Sequence, residues 1–481
     1  MAQTGLQDML QETGLQNKEP EYRTSPYLVV WQEGNEFTAF HSFLGNVSIL
    51  NADAVKLLNA FQEGMTIREA VGRFQLDSAR ETLTHFIKAS FLVPSGTDDL
   101  KNIRGAQRLL RARIKKGLLF RHLRLEWTHR CNFACKYCYV DKVWPSRQTP
   151  PPTLQWGRGV VDKGFSLAQA AGVNSLSIRF FGGEPLLYWH PLRELVEYAI
   201  DRKPSSLELV FYISTNGSMV TDEIADFGKK AGLKYIVSLD GPGEINDMMR
   251  VDSKGRGTYG RVVSGIKKLR EKGNLVSIAT SVGPHNMYHL RELIGEAASL
   301  DVQHIAIDPL GYNTIKMNAD KYKEIANRIL DAWGYGKEMG IDLTGSWKVL
   351  LERLLRNPNP SFFCPAFGSK ICAHSNGAVS PCSVLPIALG DISELPGLFN
   401  SPAYSALLKR CAGNIPMCKG CEIEGICLAG CPGEAYLARN TVQAGTNCHF
   451  NKALVKYFTS KLHSSGGFPA TVFGEPVKDI L

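Results

Sequence analysis

No cysteine occurs in the first 130 residues of this 481-residue chain, yet twelve follow, three within residues 131–138 and nine between positions 364 and 448. No apolar run approaches the ~18 residues needed to cross a bilayer. The opening stretch, MAQTGLQDMLQETGLQNKEPEYRTSP, lacks the charged, apolar and small-residue succession of a secretory signal. The expectation is a cytoplasmic protein with no membrane segment, whose cysteines are metal ligands in a reducing compartment rather than disulfides. Its length exceeds what one hydrophobic core serves, so about three domains are expected.

Acidic residues are missing from one segment. Residues 101–125 contain nine Lys or Arg and no Asp or Glu, while the remainder of the chain is balanced at 46 basic against 46 acidic residues. That segment carries the whole net charge of +9. Arg104, Arg108, Arg111 and Lys115 recur at helical spacing, which predicts a basic linker helix over 96–122 that is solvated or docks an acidic partner such as a peptide or electron carrier. Nucleic acid is not expected as a partner, because the balanced regions carry no motif for it.

The stretch CNFACKYCYV, residues 131–140, holds Cys131, Cys135 and Cys138. Three thiolates are one short of a closed tetrahedral zinc site, and the next cysteine is Cys364. A metal centre that binds substrate keeps a position open. A [4Fe-4S] cluster on these three cysteines would leave one iron free for another ligand.

Around them the chain divides into regions. Residues 1–25 read as a flexible start. Residues 26–95 open with alternating apolar runs broken at Gly34 and Asn35, a β-hairpin signal, and continue into short helices capped by Asn51 or Asp53 and by Thr66, then a short strand FLVP. This is a winged-helix-like pattern. From 123 to 340, six candidate strands (HLRLEW, SLSIRFF, LELVFYIS, YIVSLD, VSIATSV and HIAIDPL) alternate with amphipathic stretches, the pattern of a parallel α/β sheet. Six such units predict a partial (β/α)6 TIM-like barrel, whose active-site groups gather at the carboxyl ends of the strands. A connector, 341–360, leads to a cysteine-rich region, 361–450, in which metal ligation supplies much of the folding energy. Residues 451–481 read as a tail.

The C-x3-C-x2-C spacing, followed some forty residues later by FFGGEP after a strand, resembles the radical S-adenosylmethionine (SAM) enzymes. The resemblance implies that Gly182, Gly183 and Glu184 receive the methionine amino group of SAM. STNG and SLDGP are similar to family segments lining the SAM site, which places Ser214, Asn216, Ser238 and Asp240 near the ribose and methionine carboxylate. Arg250 becomes a carboxylate partner, and Tyr137, inside the cysteine run, joins the cofactor-binding set. In such enzymes one electron from the cluster cleaves SAM to a 5′-deoxyadenosyl radical, which abstracts hydrogen from an unactivated carbon.

The C-terminal cysteines resemble the SPASM domain of peptide-modifying members. The implied ligand sets are Cys364, Cys372, Cys382 and Cys431 for one auxiliary [4Fe-4S] cluster and Cys418, Cys421, Cys427 and Cys448 for the other, three clusters in all. Cys411 is left over. C-x2-C motifs also suit a pair of zinc ribbons. In the formylglycine-forming maturases an Asp base follows the third ligand of the first auxiliary cluster; here Ser383 stands there, so Asp308 and Tyr312 are candidate catalytic bases. Residues 26–95 are similar to the peptide-recognition elements of modified-peptide pathways, which bind a leader segment as an added strand.

The reading is therefore a radical SAM maturase of a ribosomally made precursor, with a leader-bearing peptide or protein and a flavodoxin or ferredoxin-type donor as partners. It oxidatively modifies a side chain to make a thioether or carbon–carbon crosslink. The alternatives are dehydrogenation or epimerisation, and, from another class, a zinc-stabilised peptide-binding adaptor.

Overall fold

In a computed structural model, the structure describes residues 19–74, 79–143, 150–311, 317–355, 362–464, 471–472 and 475–476. The chain forms two compact units, the first ending at Asn102 and the second running from Ile103 onward, with Phe43–Gly45 grouped with the second.

In the first unit β2 (Leu28–Glu33) and β3 (Glu36–His41) form the expected hairpin, and Gly34 supplies the positive φ of the turn. β4 (Val47–Leu50) pairs with β3. Asn51 caps the helix Ala52–Asn59 by accepting from the amide of Ala54. Thr66 and Glu69 exchange hydrogen bonds in a capping box that starts Ile67–Phe74. A third helix, Ala79–Lys88, completes a core of Leu57, Leu58, Phe61, Leu83, Phe86 and Phe91.

One strand was not foreseen. β1 (Glu21–Thr24) lies inside the stretch expected to be flexible, yet it is the central strand of a second sheet between β5 (Met65–Thr66) and β6 (Leu92–Pro94). Its EYRT sequence has no apolar alternation. Pairing with strands some 40 and 70 residues away holds it, together with Arg23 and Ser25, which both bond the Asp99 carboxylate at 2.5 and 2.7 Å.

The second unit opens with the basic helix Lys101–Lys115, which turns Ile103, Gln107 and Ile114 inward. All six predicted strands follow: β7 (His122–Thr128), β8 (Ser175–Gly182), β9 (Glu208–Thr215), β10 (Lys234–Ser238), β11 (Leu275–Val282) and β12 (His304–Pro309), paired in parallel in chain order. Their alternate residues, among them Leu176, Ile178 and Phe180, are buried against the flanking helices.

The sheet extends beyond six strands. β13 (Asp342–Thr344), from the stretch expected to be a connector, pairs in parallel with β12, and the helix Ser346–Leu355 follows it. At the other edge β14 (Lys370–His374) pairs in parallel with β7 and carries two antiparallel strands, β15 (Ala378–Ser380) and β16 (Gly390–Asp391). The cysteine-rich region is thus hydrogen-bonded to the first barrel strand, with Cys372 opposite Arg124. Part of the expected tail is the helix Cys448–Ser464, which buries Leu454, Val455 and Phe458 and sets Phe458 edge-on to Trp333 of the helix Ala319–Glu338.

Irregular backbone in the cysteine-rich region needs partners for its carbonyls. Arg410, 1% exposed, provides them, donating to the carbonyls of Val442, Ala444, Ala429 and Gly430 at 2.5–3.0 Å. Hydrogen bonds to a charged group contribute about 1.5–3 kcal/mol each and are not additive. Replacing Arg410 with Met is expected to destabilise this region by at least about 3 kcal/mol, read as faster amide hydrogen exchange across residues 429–444 while the barrel strands keep their protection.

Candidate active site

The carboxyl ends of the strands open into a cavity of about 390 Å³. Cys131, Cys135 and Cys138 line it, with Tyr137, Gly182, Gly183, Ser214, Asn216, Ser238, Arg250 and Asp308. Glu184 and Asp240 stand behind this wall, each 0% exposed. Tyr312 lies outside the described residues.

The cysteine loop is held at many points. The amides of Ala134 and Lys136 donate to the carbonyls of Val251 and Met249 at 2.8 and 2.9 Å. Asn132 accepts from Asn216 at 2.8 Å and donates to Ser218 at 2.9 Å. Tyr137 donates its hydroxyl to Asp240 at 2.5 Å, so the residue before Cys138 is fixed to the end of β10.

Gly182 and Gly183 have a steric reason to be glycine. A Cβ at Gly182 would lie 2.1 Å from the carbonyl oxygen of Thr128, and one at Gly183 would lie 2.2 Å from that of Arg130. Gly182 also has φ +126°. The adjoining Glu184 accepts from the amides of Asn216 and Leu186 at 2.7 and 3.0 Å and from the Thr215 hydroxyl at 2.8 Å. Burial pushes its carboxyl up to about 7 against these three donors. Its side chain joins the ends of β8 and β9, and the cavity is presented with the glycine backbone instead.

Asp240 is the other centre. Arg250 pairs with it through Nε at 3.1 Å and Nη2 at 3.2 Å. The amide of Ser281 donates to its carboxylate at 3.2 Å, and Asn286 donates to its backbone carbonyl at 3.0 Å. Burial opposes the charge, but Arg250, helped by His285 and Tyr137, holds the carboxyl down to about 2.

Several contributors escaped sequence reasoning. His285 and Asn286 sit in an unremarked VGPHN turn after β11. Arg179 donates to Ser214 at 2.7 Å from a strand position that reads as ordinary alternation. Glu434 lines the cavity from the helix Pro432–Arg439. Burial pushes its carboxyl up to about 7, with the charge of Asp308 adding to the effect. Asp308 faces the cavity, accepts from the amide of Ser346 at 2.7 Å, and is exposed there, though desolvation by the surrounding protein raises its carboxyl. Only the position three residues after Cys431 could have drawn attention to Glu434.

The remaining cysteines fall into two neighbourhoods. The charge on Cys431 is opposed by burial, then by Glu434, Cys364 and Cys382; burial raises Cys372 too, with the charge of Cys382 adding to the effect. Cys418 is pushed up to about 12 by burial and by Cys427, Cys448 and Cys421. A Cβ at Gly445 would sit 3.3 and 3.4 Å from the sulfurs of Cys448 and Cys418. Cys431 lines the main cavity, so the first neighbourhood borders it. Cys411 belongs to neither: its sulfur accepts from Arg111 at 2.8 Å, tying the basic helix to this region.

Residues 125–297 match the family model described as the Radical SAM superfamily. The barrel is a radical SAM domain. The chain is 23% identical over 427 residues to the radical SAM cyclopropyl synthase TigE of Paramaledivibacter caminithermalis, covering 84% of this chain and 87% of that one. It is 24% identical over 320 residues to a cysteine-type anaerobic sulfatase-maturating enzyme of Clostridium novyi, covering 63% of this chain and 84% of the relative. In structure it is similar to native anSMEcpe with bound AdoMet, with a TM-score of 0.62 at 20% identity over 71% of this chain and 98% of that one. It is also similar to Streptococcus suis SuiB bound to precursor peptide SuiA, with a TM-score of 0.51 at 16% identity over 88% and 98%. Relatives of the chain include a maturating enzyme.

The residues fit the SAM and [4Fe-4S] cluster of that superfamily. The loop thiols line the wall of the cavity. Burial, with the charge of Glu184 adding, pushes the Cys131 thiol up to about 12, and burial raises Cys135 too. Such thiols ionise readily only when a cation enters among them.

Replacing Asp240 with Asn leaves Arg250 enclosed without its counter-charge, which is expected to cost about 3–5 kcal/mol in urea unfolding. The sign with pH follows from the depressed carboxyl. Its contribution is complete above the ordinary Asp value of 3.8 and is lost as pH falls through about 2, so the wild-type advantage over the variant should shrink across that interval.

Proposed function

We propose that this enzyme is a maturase that binds a ribosomally made precursor through its first unit and oxidatively modifies a side chain of it in the barrel cavity. The observation that carries the reading is the shared cavity: Cys131, Cys135 and Cys138 on one part of its wall and Cys431 with Glu434 on another. The names of relatives support a peptide or protein substrate, since they include a sulfatase-maturating enzyme and a protein bound to its precursor peptide.

Cys131, Cys135 and Cys138 hold the SAM-binding cluster, and the cavity backbone at Gly182 and Gly183, with Ser214, Asn216, Ser238 and Arg250, receives SAM. When bound, the reduced cluster and SAM supply a hydrogen-abstracting radical. The protein's own tasks are then positional. Leu310, Val384 and Leu437 give part of the cavity an apolar wall that orients a substrate carbon and limits water. Asp308, which also lines the cavity, is the group assigned in this reading to accept a proton from the substrate. Cys364, Cys372, Cys382 and Cys431 hold one auxiliary cluster and Cys418, Cys421, Cys427 and Cys448 a second. The edges of the three-stranded sheet of β2, β3 and β4 suit a leader peptide added as a strand. A flavodoxin or ferredoxin-type donor supplies the reducing electron, in keeping with a cytoplasmic setting.

Three cubanes predict about 12 iron atoms per chain after anaerobic reconstitution. Replacing Cys131, Cys135 and Cys138 together with Ala is expected to lower this to about eight and to abolish 5′-deoxyadenosine release under dithionite. Release that survives the triple replacement would place the catalytic cluster elsewhere.

Crosslinking removes two hydrogens from the precursor. One leaves by abstraction; the other leaves as a proton while its electron passes to an oxidant. A relative matching most of the chain is named a cyclopropyl synthase, which favours a new carbon–carbon bond over a thioether. The expected product is lighter than the precursor by two hydrogens with every thiol still open to iodoacetamide, as mass spectrometry reads directly. A blocked thiol at the same mass loss would indicate a thioether. An unchanged mass with one deuterium gained in heavy water would indicate epimerisation instead.

A further inference from the structure

The two C-terminal thiol sets differ in the charges set against them. Parallel pairing of β7 with β14 brings Arg124 and Lys370 to the set containing Cys372 and Cys382. Lys370 Nζ donates to Cys382 Sγ at 3.2 Å. Arg124 donates to the Ser383 hydroxyl at 2.9 Å, lies 4.4 Å from the centre of the Phe181 ring, and interacts electrostatically with both Cys372 and Cys382. Both cations are half-buried and line a 460 Å³ cavity at the amino-terminal ends of the barrel strands. The acids near this set are Glu126 and Glu434, and burial favours the neutral form of each.

The second set also feels cations, each of them engaged elsewhere. Lys452 is partly exposed, interacts electrostatically with Cys421 and Cys448, and pairs with Glu422 at 3.2 Å. Arg353 interacts with Cys427 while directing its guanidinium to the carbonyls of Ile426, Phe362 and Phe363. Arg410 acts on Cys431 and Cys364 as well as on Cys418 and Cys427, and so does not distinguish the sets. The amide of Asn451, a neutral donor, reaches Cys427 at 3.1 Å.

Net charge and hydrogen bonds to the sulfurs set the potential of a thiolate-bound cluster. A cation beside a sulfur favours the reduced state, which carries one more negative charge. We propose that Lys370, backed by Arg124, raises the reduction potential of the cluster held by Cys364, Cys372, Cys382 and Cys431 above that of the other auxiliary cluster, making it the acceptor of the substrate's second electron. In that step the substrate radical is oxidised by one electron, the cluster is reduced by one, and the proton leaves to a base. Lys370 is a positioning residue here, since it acts through the sulfur. The inference rests on the auxiliary-cluster assignment proposed above.

The test uses the Cys131, Cys135 and Cys138 triple-Ala protein, in which only auxiliary clusters remain, poised at set potentials and followed by electron paramagnetic resonance. Adding Lys370→Met should make one of the two signals at least tenfold harder to reduce at fixed potential, a midpoint fall of about 59 mV for one electron. Lys370→Arg should restore it. Lys370→Gln, which keeps an N–H donor without the charge, should behave as Met does. Iron staying at about eight with neither signal shifted, with both shifted equally, or with Gln equal to wild type would overturn the inference alone. Iron near four in the triple variant before any change at Lys370 would overturn the two-cluster reading and the inference with it.

Discussion

The arrangement of the cavity depends on one buried ion pair. Asp240 and Arg250 are enclosed at the end of β10, and each needs the other, since an unpaired charge there would be costly. Tyr137 attaches the cysteine loop to the same carboxylate and Ser281 attaches the end of β11 to it, while Asn286 joins the turn after β11 to the Asp240 backbone carbonyl. One side chain thereby sets the relative positions of the thiols, the Arg250 cation and the barrel rim. A loop of three cysteines has no regular hydrogen bonding of its own, so this cross-bracing supplies order that secondary structure cannot.

A second constraint is the close approach of β7 and β8 beyond their ends. The backbone after β7 passes so near Gly182 and Gly183 that any side chain would collide, which is why the two glycines precede the acid. The acid then turns inward to join β8 and β9 instead of facing the cavity. Glycine, glycine and glutamate thus form one device: the first two let the backbone of the cysteine loop lie against the sheet, and the third locks the strand that carries them.

Much of this was readable in the sequence, for identifiable reasons. The six strands announced themselves because parallel barrel strands are buried apolar runs separated by amphipathic helices. Cys131, Cys135, Cys138, Gly182 and Gly183 stood out by their spacing, and the structure brings all five to one cavity. What escaped depends on long-range partners. β1 is held by pairing rather than by apolar pattern. β13 is three residues long and takes its place from β12, so its stretch read as a connector. Glu434 and His285 are common polar residues in turns and helices, and only the folded backbone brings them to the cavity and to Asp240. Arg124 read as part of a basic segment, whereas its side chain belongs with Ser383 and the thiols, away from the solvated helix.

The Ser383 position connects these observations. A carboxylate there would face Arg124 directly and would cancel part of the positive charge beside Cys372 and Cys382. With a neutral hydroxyl in its place, the guanidinium keeps its charge for the thiols, and the acids of the cavity sit farther round, at Asp308 and Glu434. In the proposed reading, proton and electron are then served by different elements: the Asp308 carboxylate of β12 takes the proton, and the cations of β7 and β14 favour electron uptake by the cluster beside them. A substrate carbon held between Cys138 and Cys431, as proposed, would have access to both without bringing their charges together. That separation suits an oxidation in which a proton and an electron leave the substrate in opposite directions.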